Sequence, residues 1–232
     1  MIKKIFVLLL LTNFLIVFCS CEPTIYSDGL IEYHTIGRTY SVHDLTDEGR
    51  KQEYIIIPAF VNGHIVSVSN GANGLHNYGN VKKVYVSYEI VDFYYNALHP
   101  DKAKVFILSN NIVADTDFFR LYVSSWLYEN DYTIGESIKR HANIANTSFH
   151  FNYNNSPNEG YYWIDDYDYG QLITFIPPNP TREGYTFAGW YKEPECINEW
   201  IFNEDKLPEV QYNENGDILF NETELYAKWL NY

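Results

Sequence analysis

Asn179-Pro-Thr-Arg-Glu-Gly-Tyr-Thr-Phe-Ala-Gly-Trp-Tyr191 begins with a proline turn and then sets aromatic rings at close intervals, with Gly184 and Gly189 where the backbone must bend. Tyr185 and Phe187 share one face of a strand, whereas Trp190 has the opposite parity. A bulge at Gly189 would return Trp190 to the core side. An answering segment, Glu224-Leu-Tyr-Ala-Lys-Trp229, lies near the end of the chain. There Leu225, Ala227 and Trp229 alternate with Tyr226 and Lys228, the pattern of a half-buried strand. Between the two segments, the spacing of Trp200 and Phe202 predicts that both fall on one face of a strand. These residues describe an aromatic-stapled β module and no chemistry.

The same residues closely resemble the Listeria–Bacteroides repeat, also called the internalin B-repeat. Its pattern is matched in three ordered blocks: Pro180 to Tyr191, Trp200 to Phe202, and Leu225 to Trp229. The residues carrying the match are Pro180, Gly184, Tyr185, Phe187, Gly189, Trp190, Trp200, Phe202, Leu225, Tyr226 and Trp229. The resemblance implies a small β-grasp-like module of bacterial surface proteins, a spacer or adhesive unit rather than a catalyst. It covers roughly the last third of the chain, and the remainder has to be read separately.

At the other end, Lys3 and Lys4 precede an apolar run from Ile5 to Phe18. That is a charged n-region followed by an h-region of signal-peptide length, which makes residues 1–20 a leader. Ser20-Cys21 resembles a lipobox, which implies cleavage before Cys21 and lipid attachment to its sulfur. The alternative is an ordinary secretory peptide cut near Ser20. Without Lys3 and Lys4 the 16 basic residues fall to 14 against 30 acidic, a formal charge of −16. A field of that sign repels nucleic acid and anionic lipid, so any membrane association has to come from acyl chains. Of Cys19, Cys21 and Cys196, only Cys196 would keep a free thiol after processing, so no internal disulfide is available. The 22 Tyr, with the other aromatics, are the expected core material and part of the surface.

Residues 21–30 are short, polar and turn-prone, the composition of a tether. Thr39 to His43 and Tyr54 to Ile57 then read as strands, and Asn62-Gly63 signals a hairpin ahead of Ile65. Lys83-Val-Tyr-Val86 recurs as Lys104-Val-Phe-Ile107, an offset of 21, and Ile90-Val91 recurs as Ile112-Val113. A period in the low twenties marks a solenoid whose repeats bury a face against each other. Residues 31–141 resemble leucine-rich repeats of the BspA type, carried by Tyr54 to Val68 with its Asn-Gly turn. Leu121-Tyr-Val123 is placed as a closing strand and Ser124 or Ser125 as the cap of a short helix. Residues 142–232 then form the C-terminal module. Within it Thr147 to Tyr153, Tyr161 to Ile164 and Leu172 to Phe175 read as strands. The fold class is therefore mainly β, a short leucine-rich-repeat solenoid followed by a β-grasp-like module.

The search for catalytic or ligand-binding groups yields little. No two of the seven histidines lie at i, i+2 or i, i+4, and there is no His-Glu-x-x-His, Cys-x-x-Cys, Gly-x-Ser-x-Gly or phosphate-binding glycine loop. No catalytic residue, metal or cofactor is expected. Cys196 sits between Glu195 and Ile197, away from basic neighbours, and reads as an incidental thiol. Asp165-Asp-Tyr-Asp168 reads either as a cation site or as a solvated acidic turn. The candidate binding surface is aromatic: Tyr94, Tyr95, Tyr161 and Tyr162, with Tyr167 and Tyr169, set against their use as cross-strand packing. The functional expectation is a non-catalytic, lipid-anchored protein on the extracellular face of the envelope. Its partner would be an extracellular protein or glycan, with the repeats as recognition face. The alternative is an envelope hydrolase without a recognisable motif.

Overall fold

A computed structural model describes residues 24–68, 75, 77–90, 93, 98, 103–110, 121–130 and 142–232. The expectations for the leader, Cys21, Tyr94, Tyr95, Ile112-Val113 and residues 131–141 lie outside these residues. Among the described residues the chain is mainly β, with one short α-helix, α1 (Ser125–Asn130), and single 3-10 turns at Gly49–Lys51 and Asn158–Gly160.

The β-branched and aromatic tetrapeptides of the first half stack in chain order. β4 (Tyr54–Ile57), β7 (Lys83–Val86), β8 (Lys104–Ile107), β9 (Leu121–Val123) and β10 (Asn143–Ile144) form one five-stranded sheet, parallel throughout. The 21-residue recurrence is its register: Lys83 lies opposite Lys104, Val84 opposite Val105, Tyr85 opposite Phe106 and Val86 opposite Ile107. Leu121–Val123 does not close this sheet, because Asn143 and Ile144 add a further strand beside Tyr122 and Val123. Ser124 caps α1, its Oγ accepting the Leu127 N–H at 3.0 Å.

A second sheet has the order β1-β2-β3-β6-β5, from β1 (Thr24–Ser27), β2 (Ile31–Ile36), β3 (Thr39–Leu45), β5 (Phe60–Val61) and β6 (His64–Ser67). Asn62 and Gly63 turn the β5–β6 hairpin at φ 51° and 76°, the double positive φ of the favoured two-residue turn. Thr24–Ser27, expected in a tether, is instead a full strand on β2, with the Tyr26 ring 5.1 Å from that of Tyr40. Alternate residues of the parallel sheet, Ile55, Ile57, Val84, Val86, Val105, Ile107, Leu121 and Val123, meet Val42, Leu45, Val66 and Val68 in one buried core.

The other face of the parallel sheet is covered as well, which is how parallel sheets normally occur. The second half supplies the cover: a sheet of order β12-β11-β16-β13, from β11 (Thr147–His150), β12 (Tyr161–Asp165), β13 (Tyr185–Tyr191) and β16 (Thr223–Asn231). The chain passes from one sheet to the other between Ile144 and Thr147. Tyr85 and Phe106 are fully buried in a core shared with Phe149, Trp163, Trp190, Leu225 and Ala227. The Tyr85 ring lies 4.5 Å from Trp163 and 5.1 Å from Phe175. The parallel sheet and the C-terminal sheet are thus packed through one continuous aromatic layer.

In β13 the register against β16 shifts between Phe187 and Trp190, and Gly189 takes φ 112°. The bulge turns Trp190 inward, where its ring meets Phe149 at 5.0 Å and Phe187 at 5.1 Å. Trp229 is anchored by Nε1–H donation to the Phe151 carbonyl at 2.6 Å. Two strand expectations fail. Trp200 and Phe202 do not share a strand, because the Asp205 carboxylate accepts the Ile201 N–H at 2.7 Å and curls the chain into a turn. Leu172 to Phe175 carries only the Leu172–Lys206 bridge. Pro177 and Pro178 follow and have no N–H to give to a ladder, and the Phe175 ring packs into the aromatic layer.

Candidate functional site

Two of the three carboxylates of the acidic turn are taken up by lysines of the parallel sheet, while Asp168 is exposed. Asp165 is fully buried and accepts three hydrogen bonds, from Lys83 Nζ at 2.6 Å, Tyr85 OH at 2.7 Å and the Asp166 N–H at 2.7 Å. Asp166 in turn accepts Lys104 Nζ at 2.7 Å. Lys83 and Lys104 are in register on neighbouring strands, and like charges facing each other are unfavourable. The two aspartates neutralise them from above. Burial opposes the charge on Lys104, but the Asp166 carboxylate outweighs it and holds the ammonium above its ordinary 10.5. Burial and the Asp165 charge push the Tyr85 hydroxyl far above its ordinary value, so it stays a donor.

A second polar clamp lies at the other end of the shared layer. Asn158 Nδ2 donates to the Leu108 carbonyl at 2.6 Å, and Asn158 Oδ1 accepts the Asn110 N–H at 2.6 Å. Ser124 Oγ donates to Asn110 Oδ1 at 2.6 Å. Buried polar groups matched this completely fix one relative placement of the two halves.

The tyrosines singled out as binding candidates are largely used by this packing. Tyr161 is buried and its hydroxyl lies 3.2 Å from Ser125 Oγ. Tyr162 donates its hydroxyl to the Pro178 carbonyl at 2.7 Å, and Tyr167 donates to the Phe175 carbonyl at 2.8 Å. Tyr169 OH accepts the Asn221 N–H at 2.9 Å. Among the described residues, the rings Tyr85 and Phe106 of the parallel sheet lie beneath the C-terminal sheet.

Among the described residues no group of three or more His, Cys, Asp or Glu is placed to hold a metal. Cys196 stands at φ 54°, and burial raises its thiol above the ordinary 9.0. Asn152 Nδ2 meets its Sγ at 3.3 Å, so the thiol is held within the loop packing.

On the outward side of β11 and β16 Ser148 is buried and His150 nearly so, while Glu224 and Tyr226 reach solvent. His150 stacks on Tyr226 at 5.0 Å and 19°, and lies 4.5 Å from Tyr161. Its Nε2 lies 3.0 Å from Ser148 Oγ and 3.3 Å from Glu224 Oε1. The His150 hydrogen bond, working against partial burial, holds the Glu224 carboxyl below its ordinary 4.5. Burial and Glu224 raise Tyr226 to about 12, so its phenol remains protonated and polar. Tyr226 borders two open recesses. One, of about 520 Å³, is lined by His150, Asn152, Tyr153, Asn154, Asn155, Ser156, Glu159, Gly160 and Tyr226. The other, of about 510 Å³, runs along Lys192 to Pro194, Trp200, Asp205 to Pro208 and Glu222 to Tyr226.

Of this site the sequence singled out Trp200, Leu225 and Tyr226 as fold-makers and the neighbouring Tyr161 as a binding candidate. The available signal was the asparagine-rich run from Asn152 to Asn158, which reads as a turn until its strand neighbours are known. Residues 148–228 match the family model of the Listeria-Bacteroides repeat domain, so the match opens in β11, well upstream of Asn179. No curated protein matches the chain.

Proposed function

We propose that the chain is a non-catalytic surface protein that binds an extracellular ligand through the outward face of its C-terminal sheet. One observation carries this reading. The C-terminal sheet buries the outer face of the parallel sheet, while the opposite side of β16 keeps Tyr226 between two open recesses. The match of residues 148–228 to the Listeria-Bacteroides repeat domain is consistent with a surface-associated protein.

In this reading residues 31–141 are leucine-rich repeats of the BspA type, shortened to a platform, and the C-terminal module is β-grasp-like. The repeats act as the stand and the module as the hand. Residues 1–20 direct export, and Cys21 carries the lipid that holds the protein to the membrane. The formal charge of −14 disfavours nucleic acid as a partner. Ser148 beside His150 is fully buried. Its hydroxyl and the Glu224 carboxylate meet the same ring nitrogen, so no relay runs from carboxylate through imidazole to hydroxyl. With the Cys196 thiol raised by burial, this supports a binding role over hydrolysis.

Two variants test the proposal in the native host. Cys21→Ala should release the protein into the medium, and retention at the membrane would refute the anchor. Tyr226→Ala should abolish attachment of cells to their extracellular ligand while surface display is unchanged. Undiminished attachment would remove the function from this face.

A further inference from the structure

We infer that the recess beside Tyr226 is a binding site for a neutral glycan, an assignment that rests on the binding role proposed above. The chemistry of its lining narrows the ligand. No lysine or arginine lines the recess, the Arg182 guanidinium lies over the Tyr153 and Tyr185 rings, and His150 turns its Nε2 to Ser148 and Glu224. The lining therefore favours a neutral ligand over a phosphate, sulfate or carboxylate. Its walls are amides, a hydroxyl and one carboxylate around three rings, too polar for a lipid or a greasy peptide side chain. Asn154 and Asn155 offer both donors and acceptors, and Glu159 offers acceptors alone. A sugar hydroxyl donates and accepts at once and so matches such a mixed set. Tyr226 carries His150 stacked on one face and Tyr153 carries the Arg182 guanidinium over its ring, so each has its opposite face left for the C–H side of a pyranose.

The loop that presents these groups is anchored at both ends. Asn152 Nδ2 donates to the Pro194 carbonyl at 2.9 Å and to the Ala227 carbonyl at 3.1 Å. Asn158 Nδ2 donates to the Leu108 carbonyl at 2.6 Å and to the Tyr161 carbonyl at 2.9 Å. Between the anchors Asn154, Asn155 and Glu159 are exposed. Asn152, Asn155, Asn158 and Glu159 all stand at φ between 54° and 57°. Asparagine tolerates that conformation, whereas glutamate rarely adopts it. A polar loop fixed in this way binds without first being ordered, which matters for weak, hydroxyl-dominated ligands. Because Tyr226 also borders the recess along Lys192 to Pro194, an oligosaccharide engages both recesses where a single sugar engages one.

The test uses the full chain on an array of neutral oligosaccharides of glucose, mannose, galactose and N-acetylglucosamine, with heparin as the anionic control. Binding to at least one neutral series, rising with chain length and absent on heparin, is expected. Asn154→Ala and Glu159→Gln, both exposed and outside the core, should each weaken it tenfold or more without moving the melting temperature. Tyr226→Ala should abolish it. Absence of neutral-glycan binding, or binding that these variants leave unchanged, overturns the assignment. The same proteins applied to enzymatically deglycosylated matrix protein separate the two levels of the argument. Capture there that is lost with Tyr226→Ala would sink the glycan and keep the binding face. Failure on every surface would sink both.

Discussion

Replacing Lys83 by Met tests the contact on which the joining of the two halves depends. The substitution keeps the apolar stem and removes the ammonium that donates to Asp165 at 2.6 Å. The two partners differ in exposure: the Lys83 side chain is 22% exposed, the Asp165 side chain 0%. A lysine robbed of its aspartate turns toward water, but an aspartate robbed of its lysine stays buried with only Tyr85 OH and the Asp166 N–H as donors. Breaking a buried pair from this side costs on the order of 3–5 kcal/mol. The lost contact of Lys83 with the Tyr167 ring, 4.2 Å away, adds to it. In a chain of this size that lowers the melting temperature by about 6–20 °C. Urea unfolding followed by tryptophan fluorescence is the assay, since Trp163 lies against Tyr85. Adding Asp165→Asn to Lys83→Met should recover part of the loss, because the uncompensated charge is gone while an acceptor for Tyr85 remains. A cost under about 1 kcal/mol, or no recovery in the double variant, would refute the reasoning.

Trp190→Ala should destabilise the chain by roughly 3–5 kcal/mol in the same assay, by removing the ring between Phe149 and Phe187; a near-neutral effect would show that the bulge at Gly189 is not what seats it. The His150–Glu224 contact predicts a pH signature. A carboxyl held below its ordinary 4.5 contributes stability that is complete above that value and is lost as the pH falls through the lower folded value. Glu224→Gln should therefore melt below the parent at neutral pH and converge with it in acid, and parallel curves would contradict the pairing. Cys196, its thiol raised by burial, should alkylate with iodoacetamide more slowly than free cysteine at mildly alkaline pH; faster labelling would refute its shielding.

Local rules reached the parts of this fold that are local. The parity of Phe187 against Trp190 located the bulge, and the repeated Lys-Val-aromatic-aliphatic tetrapeptide gave the parallel register of Lys83 with Lys104. Asn62-Gly63 gave its hairpin. What local rules missed were pairings across large separations. Asp165 finds Lys83 at a separation of 82 residues, and Asp166 finds Lys104 at 62. Within the sequence the acidic run is indistinguishable from a solvated turn. The one hint was the lysine at the first position of both tetrapeptides, since two like charges side by side require a countercharge. The same long-range packing decided which tyrosines are surface. Tyr161 and Tyr162 read either as an aromatic binding surface or as cross-strand packing, and the cover over the parallel sheet uses them as packing. Trp200 and Phe202 misled differently: alternation fitted a strand, but Asp205 captured the Ile201 amide first.

The central claim, that the parallel sheet and the C-terminal sheet form one folded body through the Tyr85–Phe106–Trp163 layer, is tested most directly by calorimetry of the full chain. One transition is predicted, with equal calorimetric and van't Hoff enthalpies. Two resolved transitions, one of them insensitive to Lys83→Met, would contradict it.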